Sequence, residues 1–181
     1  MDLARSYLLL NHGPVTLVTS AHGGRRNIMA ASWAMPVDFD PPKVALVVDK
    51  ATLTRELIDA SGTFVFNIPV VAQAGLVLAL GNTSGRSIDK FTAHGLHSTR
   101  ATRVAAPMLD GCAAWLECRI IAEPHNQRAH DLFIAEVVAA HADPRLFSGN
   151  RWHFPDAAGH TLHYSAGSHF FATGPAVIPA S

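Results

Sequence analysis

Apolar residues along the chain occur in short runs bounded by glycine and proline, a pattern typical of β-strands. One strand is predicted over residues 15–20, and the next carries residues 27–33 and ends at Pro36. The continuous apolar run at residues 44–48 predicts a strand that is buried on both faces. Residues 63–68 complete a set of short predicted strands before residue 70.

The clearest alternation of apolar and polar residues runs from Cys112 to Glu123. Alternating side chains predict a half-buried antiparallel strand, with Trp115, Glu117 and Arg119 on its more polar face. Residues 131–141 are its predicted partner.

Three segments have helical signals. Residues 3–10 predict a short helix. A second helix begins at Thr52 or Thr54, either of which suits an N-cap, and ends at Gly62. A third is predicted over residues 70–80, and the following residues 81–96 are rich in loop formers.

Many strands with few helices predict a mainly β (α+β) fold, a β-barrel or sandwich with peripheral helices. The 181 residues are expected to form a single domain, 1–181, because the length suits one core and no repeat or boundary is visible.

Charge and composition exclude several classes of protein. Lys+Arg and Asp+Glu both number 14, so no basic excess indicates nucleic acid or a membrane surface. No apolar run reaches the ~18 residues of a membrane span. The N-terminus lacks the basic and apolar regions of a secretory signal, and Cys112 and Cys118 fit buried free thiols. We therefore expect a cytoplasmic protein whose near-neutral surface tolerates self-association.

The eleven histidines raise the question of a metal site. His94 with His97, and His160 with His163, have i,i+3 spacing. These pairs fall in predicted loops and not in a helical HExxH motif, so no metal site is predicted.

Residues 27–33 combine an amide, small residues, a hydroxyl and an aromatic ring. Small residues let a ligand approach the backbone, Asn27 offers a donor and an acceptor, and Trp33 offers a stacking face. These groups suit a flat, polar-edged ring with a phosphate tail. From the residues alone, a hairpin whose small residues merely pack is the preferred interpretation.

Eight segments, taken in order, change that preference. The chain resembles the flavin reductase-like family, in particular flavoredoxin-type FMN-binding split barrels. The segments are residues 13–19 (GPVTLVT), 27–33 (NIMAASW), 40–42 (DPP), 52–54 (TLT), 61–69 (SGTFVFNIP), 89–91 (DKF), 116–118 (LEC) and 130–137 (HDLFIAEV).

The resemblance implies a split β-barrel homodimer with FMN near the subunit interface. It also implies that a hydride passes from NADH or NADPH to the flavin. Reduced flavin or electrons then pass to a partner, such as a monooxygenase or a redox protein.

The resemblance also implies roles for individual residues around the isoalloxazine ring. Asn27 would contact the ring edge and Trp33 would line its pocket. The backbone of Ala30, Ala31 and Ser32, with the Ser32 hydroxyl, would hold polar parts of the cofactor.

The remaining implied roles belong to the phosphate end and to the periphery of the ring. Thr52, Thr54 and Lys90 would bind the phosphate. His130 would lie near the ring, as both a catalytic and a cofactor-binding residue. An aromatic cover would come from Tyr164 or from Phe171, and the sequence does not choose between them.

Elementary chemistry agrees with the phosphate roles but also offers simpler ones. A helix N-terminus at Thr54 and a point charge at Lys90 both attract a phosphate. Equally, Thr52 and Thr54 suit plain helix caps, and Lys90 suits an ordinary surface lysine.

Three alternatives to an NAD(P)H-dependent FMN reductase remain open. The first is a flavoredoxin-type carrier, in which a protein partner reduces the bound FMN. The second is a pyridoxamine-phosphate-oxidase-like protein, for which the sequence offers no obvious basic cluster to bind a second phosphate. The third is a flavin or haem sensor. The sequence has no GxGxxG dinucleotide fingerprint, and it does not distinguish NADH from NADPH as the donor.

Overall fold

A computed structural model describes residues 3–10, 12–175 and 177. The strands are β1 Thr16–His22, β2 Arg25–Ala31, β3 Ala34–Phe39, β4 Pro42–Val47, β5 Thr63–Ile68, β6 Ser98–Thr99, β7 Met108–Leu109, β8 Ala114–Ile121, β9 Leu132–Ala142, β10 Phe147–Ser148, β11 Arg151–Trp152, β12 Leu162–Tyr164 and β13 Phe170–Ala172. The α-helices are α1 Leu53–Ser61, α2 Ala74–Asn82, α3 Lys90–Ala93 and α4 Pro124–Ala129, and short 3₁₀-helices lie at Leu3–Leu9, Val71–Gln73 and Ala157–Gly159.

Seven strands form one antiparallel sheet in the order β2-β1-β5-β8-β9-β4-β3. The two edge strands, β2 and β3, are consecutive in the chain and are separated only by Ser32 and Trp33. A flat sheet would place them about 29 Å apart at roughly 4.8 Å per strand, whereas this connection reaches only about 11 Å. The sheet must therefore curl until its edges meet, which confirms the predicted mainly β, barrel-like fold.

Two apolar clusters lie on opposite faces of the curled sheet. Inside the barrel, Val18, Leu46 and Phe64 are fully buried. Outside it, α2 and α3 cover β1 and β2 through a second cluster that includes Leu80 and Phe91. The helices thereby place the segment 81–90 beside β2.

Of the two predicted N-caps of helix α1, Thr52 is the one observed, and its hydroxyl accepts a hydrogen bond from the Arg55 backbone N–H at 3.1 Å. The helix ends at Gly62, whose positive φ of 67° suits a residue without a Cβ. The predicted strand at residues 63–68 has the observed bounds.

Pro36 does not end a strand, as the sequence predicted, but lies inside β3. This position is tolerated because β3 is an edge strand, where a missing N–H costs no ladder bond. Strand β4 is also not buried on both faces: Val44 and Leu46 face the core, while Ala45 and Val47 are partly exposed.

Glu117 departs from its predicted place on the polar face of β8. Its side chain is fully buried, and the ladder to β9 shifts register between Glu117 and Cys118. A β-bulge of this kind breaks the strict alternation on which the prediction relied. The two cysteines are buried and free, as expected.

Candidate functional site

A cleft of about 310 Å³ lies between β2, the start of α1 and the segment 81–90. We call it the Lys90 cleft. Five of the predicted site residues line it: Asn27, Ala30, Thr52, Thr54 and Lys90. Residues that are distant in sequence meet here because α1 and α3 both pack against β2.

Asn27 and Thr54 form a buried hydrogen-bonded pair in this cleft. The Asn27 amide Nδ2 donates to the Thr54 hydroxyl at 2.9 Å, and both residues are almost inaccessible to solvent. Because this hydrogen bond is shielded from water, it holds the Asn27 amide and the Thr54 hydroxyl in a defined orientation within the cleft.

Lys90 is a buried cation, with 3% of its surface exposed. Its ammonium donates one hydrogen bond, to the Leu80 carbonyl oxygen at 2.7 Å. Among the described residues it forms no ion pair. Desolvation lowers the pKa of Lys90 below its usual value. Because a buried charge is costly without an opposite charge, the cleft favours an anionic ligand.

The loop approaches the Asn27 amide very closely at Gly85. A Cβ built on Gly85 would lie 2.1 Å from the Asn27 Oδ1. Only glycine permits the loop to approach so closely, so Gly85 belongs to the architecture of the Lys90 cleft. No motif in the sequence marks this glycine as part of the site.

A second cleft of about 210 Å³ shares Ala30, Gly81 and Asn82 with the Lys90 cleft. Ser32 and Tyr164 also line it. The Tyr164 ring packs against Phe170 at 5.6 Å between centroids, whereas the other predicted aromatic cover, Phe171, is 64% exposed. Of the two, Tyr164 is the one that lies beside the predicted site residues.

Trp33 lines a third, mainly apolar cleft of about 350 Å³. Ser32 is common to the second and third clefts. The Trp33 ring is half exposed and contacts Tyr7 edge-on at 5.7 Å. The three clefts therefore follow one line along β2 and around the β2–β3 corner.

Residues 9–168 match the flavin reductase-like domain. The chain belongs to the flavin reductase-like family. It is 44% identical to the protein YddH of Escherichia coli over 180 residues, which are 98% of this chain and 95% of YddH.

Solved structures agree with this membership. An FMN-binding domain of a flavin reductase-like enzyme from Shewanella baltica is 43% identical, with a TM-score of 0.89 over 99% of this chain and 96% of that one. Flavoredoxin of Desulfovibrio vulgaris is 27% identical, with a TM-score of 0.81 over 93% of this chain and 90% of that one.

Two residues implied by the family resemblance lie outside the three clefts of this flavin reductase-like domain. The Ala31 side chain belongs to the barrel core with Val18 and Val44. His130 is exposed after α4, with its ring 5.7 Å from that of His125. Neither residue lines the clefts described above.

The flavin reductase-like domain also contains a basic cluster, although its sequence offered no obvious one for a second phosphate. Arg25, Arg26 and Arg86 line a cleft of about 560 Å³ that shares Leu53 and Gly85 with the Lys90 cleft. We call it the arginine cleft. The adjacent arginines at the start of β2 were its only sequence signal, because Arg86 joins them only in the folded chain.

Two further findings concern the described residues only. No group of three or more His, Cys, Asp or Glu is arranged to hold a metal ion. None of the helices in this part of the chain is long and apolar enough to cross a membrane.

Proposed function

We propose that this protein is an FMN-binding oxidoreductase that transfers a hydride from NADH or NADPH to flavin. The observation that carries the proposal is the buried Lys90 ammonium, which lines a cleft without an ion-pair partner among the described residues. The similarity to the FMN-binding domain from Shewanella baltica supports FMN as the ligand.

The Lys90 cleft fits the phosphate of FMN. A phosphate monoester needs a cation and several donors, and charge-assisted hydrogen bonds are the strongest ones available. Lys90 would supply the charge, and Thr52 and Thr54 would supply hydroxyls at the start of α1. The positive end of the α1 dipole adds to this attraction.

The clefts beyond Ala30 fit the ring of the cofactor. Bound flavin supplies the ring that accepts the hydride. Asn27 would orient the ring edge through its amide, while Ala30 and Ser32 would allow close approach to the backbone. Tyr164 and Trp33 would cover the ring and exclude water. No acid–base pair is needed for this step.

His130 is proposed as a contact for the nicotinamide nucleotide at the entrance to the ring pocket. Its exposed side chain precedes Leu132, which lines the Trp33 cleft. An exposed imidazole can hydrogen-bond to a ligand without burying a charge.

A second candidate function is electron carriage by a permanently bound FMN that a protein partner reduces. The similarity to Desulfovibrio vulgaris flavoredoxin favours this candidate. The two functions differ in how the flavin is reduced, and so one experiment separates them.

The experiment is anaerobic addition of NADH, and separately of NADPH, to the FMN-loaded protein. Rapid loss of the flavin absorbance supports the reductase and identifies the donor. Absorbance that persists with both nucleotides, but is lost with a reduced protein donor, supports the carrier.

We also propose that the protein acts as a homodimer. Apolar side chains stand exposed on β3 and beside it, including Trp33, Met35 and Phe39, the last 91% exposed. A second copy covering this surface would enclose the Trp33 cleft and complete the ring pocket. A monooxygenase or redox protein would then receive reduced flavin or electrons.

A further inference from the structure

The arginine cleft is separate from the candidate FMN-phosphate site but adjoins it. It is lined by Gly24, Arg25, Arg26, Leu53, Gly85, Arg86, Ser87, Ile88 and Asp89. Leu53 and Gly85 border both clefts, so the arginine cleft and the Lys90 cleft are immediate neighbours.

Two of its arginines converge on one carboxylate. Arg25 Nη1 lies 2.7 Å from Glu56 Oε1, and Arg86 Nη1 lies 2.9 Å from Glu56 Oε2. Hydrogen bonds from Arg25 and then Arg86 hold the pKa of Glu56 below its usual value. The shared carboxylate fixes both guanidinium groups and neutralises only one of the two positive charges.

Arg26 adds a third cation that is positioned by a ring. Its guanidinium lies 4.1 Å from the centre of the Phe91 ring, and it makes no ion pair within the described residues. The pKa of Asp89 is lowered first by a hydrogen bond from Thr92 and also by the charge of Arg26. However, the Asp89 carboxylate also caps α3 by accepting a hydrogen bond from the Phe91 N–H. The donors of Arg26 therefore remain available to a ligand.

The positive surface continues beyond Arg26. A neighbouring cleft of about 470 Å³ shares Arg25 and Arg26, adds Arg100 and His22, and has no acidic residue in its lining. Such an excess of planar guanidinium groups suits phosphate, which they bind in a bidentate manner.

We propose that the arginine cleft binds a second phosphate, that of an adenine nucleotide placed next to the flavin phosphate. This inference rests on the proposed function. The shared chemistry has two sources: the adenylate half of FAD, which continues from the flavin phosphate, or the ribose phosphate that distinguishes NADPH from NADH. In either case the arginines favour the ligand that carries the additional phosphate: FAD over FMN, or NADPH over NADH.

The test uses the full chain in two variants, the double variant Arg25→Gln/Arg26→Gln and the single variant Arg86→Gln. Arg151→Gln on β11 is the matched control. Binding of FMN, FAD and ADP is measured by titration calorimetry, and KM is measured for NADH and NADPH. Loss of a charge-assisted hydrogen bond predicts an increase of about tenfold in the affected constant. Thermal melts confirm that the variants fold.

The pattern of changes identifies the source. Weaker FAD binding with unchanged FMN binding assigns the cleft to the adenylate of FAD, and a higher KM for NADPH alone assigns it to the coenzyme. Glu56→Gln, which releases both guanidinium groups, should tighten the binding of the same ligand.

Unchanged constants for FAD, ADP and NADPH, or an equal loss of FMN and FAD binding, overturn the proposal. Wild-type protein that binds ADP through these arginines but does not bind FMN contradicts the proposed function and supports the arginine cleft.

Discussion

At the scale of single residues, the candidate site depends on how closely a loop approaches one amide. The Asn27 amide donates to Thr54, and the loop at Gly85 lies so close that a Cβ there would meet the amide oxygen. A side chain at position 85 would occupy the space of the Asn27 amide. Displacing the Asn27 side chain should therefore change both the stability of the protein and the ligand affinity of the site.

Gly85→Ala should destabilise the protein by about 1–3 kcal/mol, because its Cβ overpacks the space beside Asn27. The measurement is the urea unfolding midpoint. Gly75→Ala is the control, since a Cβ there meets nothing within 4 Å. If the clash with the amide is the cause, adding Asn27→Ala should recover part of the loss. A fully additive double variant would contradict this account.

The family resemblance named site residues, but it did not give the direction of each side chain. Asn27, Thr54 and Lys90 were named by the resemblance, and the fold brings them to one cleft. The resemblance implied a role for the backbone of Ala30 and Ala31, and the side chains of such strand neighbours point to opposite faces. Ala31 therefore packs in the core, and its side chain cannot line the cleft with that of Ala30.

At the scale of elements, Glu117 fastens the segment before β7 to the central strand β8. Its carboxylate accepts hydrogen bonds from the backbone N–H groups of Thr102, Arg103 and Val104, and from the Thr102 hydroxyl. His141 Nε2 lies 2.9 Å from the same carboxylate. Burial alone raises the pKa of Glu117, but these hydrogen bonds outweigh it and lower the pKa to about 2.

Glu117→Gln should therefore destabilise the protein by about 3 kcal/mol near neutral pH, because two buried donors would face an amide NH₂ group. The measurement is the free energy of unfolding in urea. Glu136→Gln, on the neighbouring strand β9 and only partly buried, is a matched control that should change little.

The pH dependence of stability gives a second test of Glu117. Its folded pKa of about 2 lies below its usual value of 4.5, so its contribution is complete above pH 4.5. Stability should be lost as the pH falls from 4.5 toward 2. The Glu117→Gln variant should lack this component, and an identical slope in both proteins would remove Glu117 as its source.

Elements were predicted well where local signals were strong. Thr52 and Gly62 bound α1 because capping is a local property. Glu117 and Pro36 were misplaced because a bulge and an edge position arise only when strands pair. A single chain segment does not contain that information.

At the scale of the whole molecule, the closing of the sheet creates the surface proposed for dimerisation. Strand β3 is an edge with exposed apolar side chains, and the corner at Ser32 and Trp33 connects it to the clefts along β2. The barrel-like fold followed from the strand pattern and the resemblance. The arginine cleft did not, because it is assembled from segments that meet only in the folded chain.

Phe39→Glu together with Met35→Glu should shift the protein from dimer to monomer, since charges on the apolar face oppose its burial. Light scattering after size exclusion measures the mass. Phe171→Glu, which changes another exposed aromatic residue on β13, should leave the dimer intact. A wild-type protein that is monomeric at all concentrations would contradict the proposed assembly.

The most direct measurement of the central claim compares FMN with riboflavin, which lacks the phosphate, in binding titrations. Wild-type protein should prefer FMN, and Lys90→Met should lose about 1.5–3 kcal/mol of FMN binding with riboflavin binding unchanged. Lys90→Ala should show the same loss, and Lys43→Met, at an exposed ion pair with Asp38, should show none. Equal affinity of the wild-type protein for FMN and riboflavin, or unaltered FMN binding by both Lys90 variants, would contradict a phosphate site at Lys90.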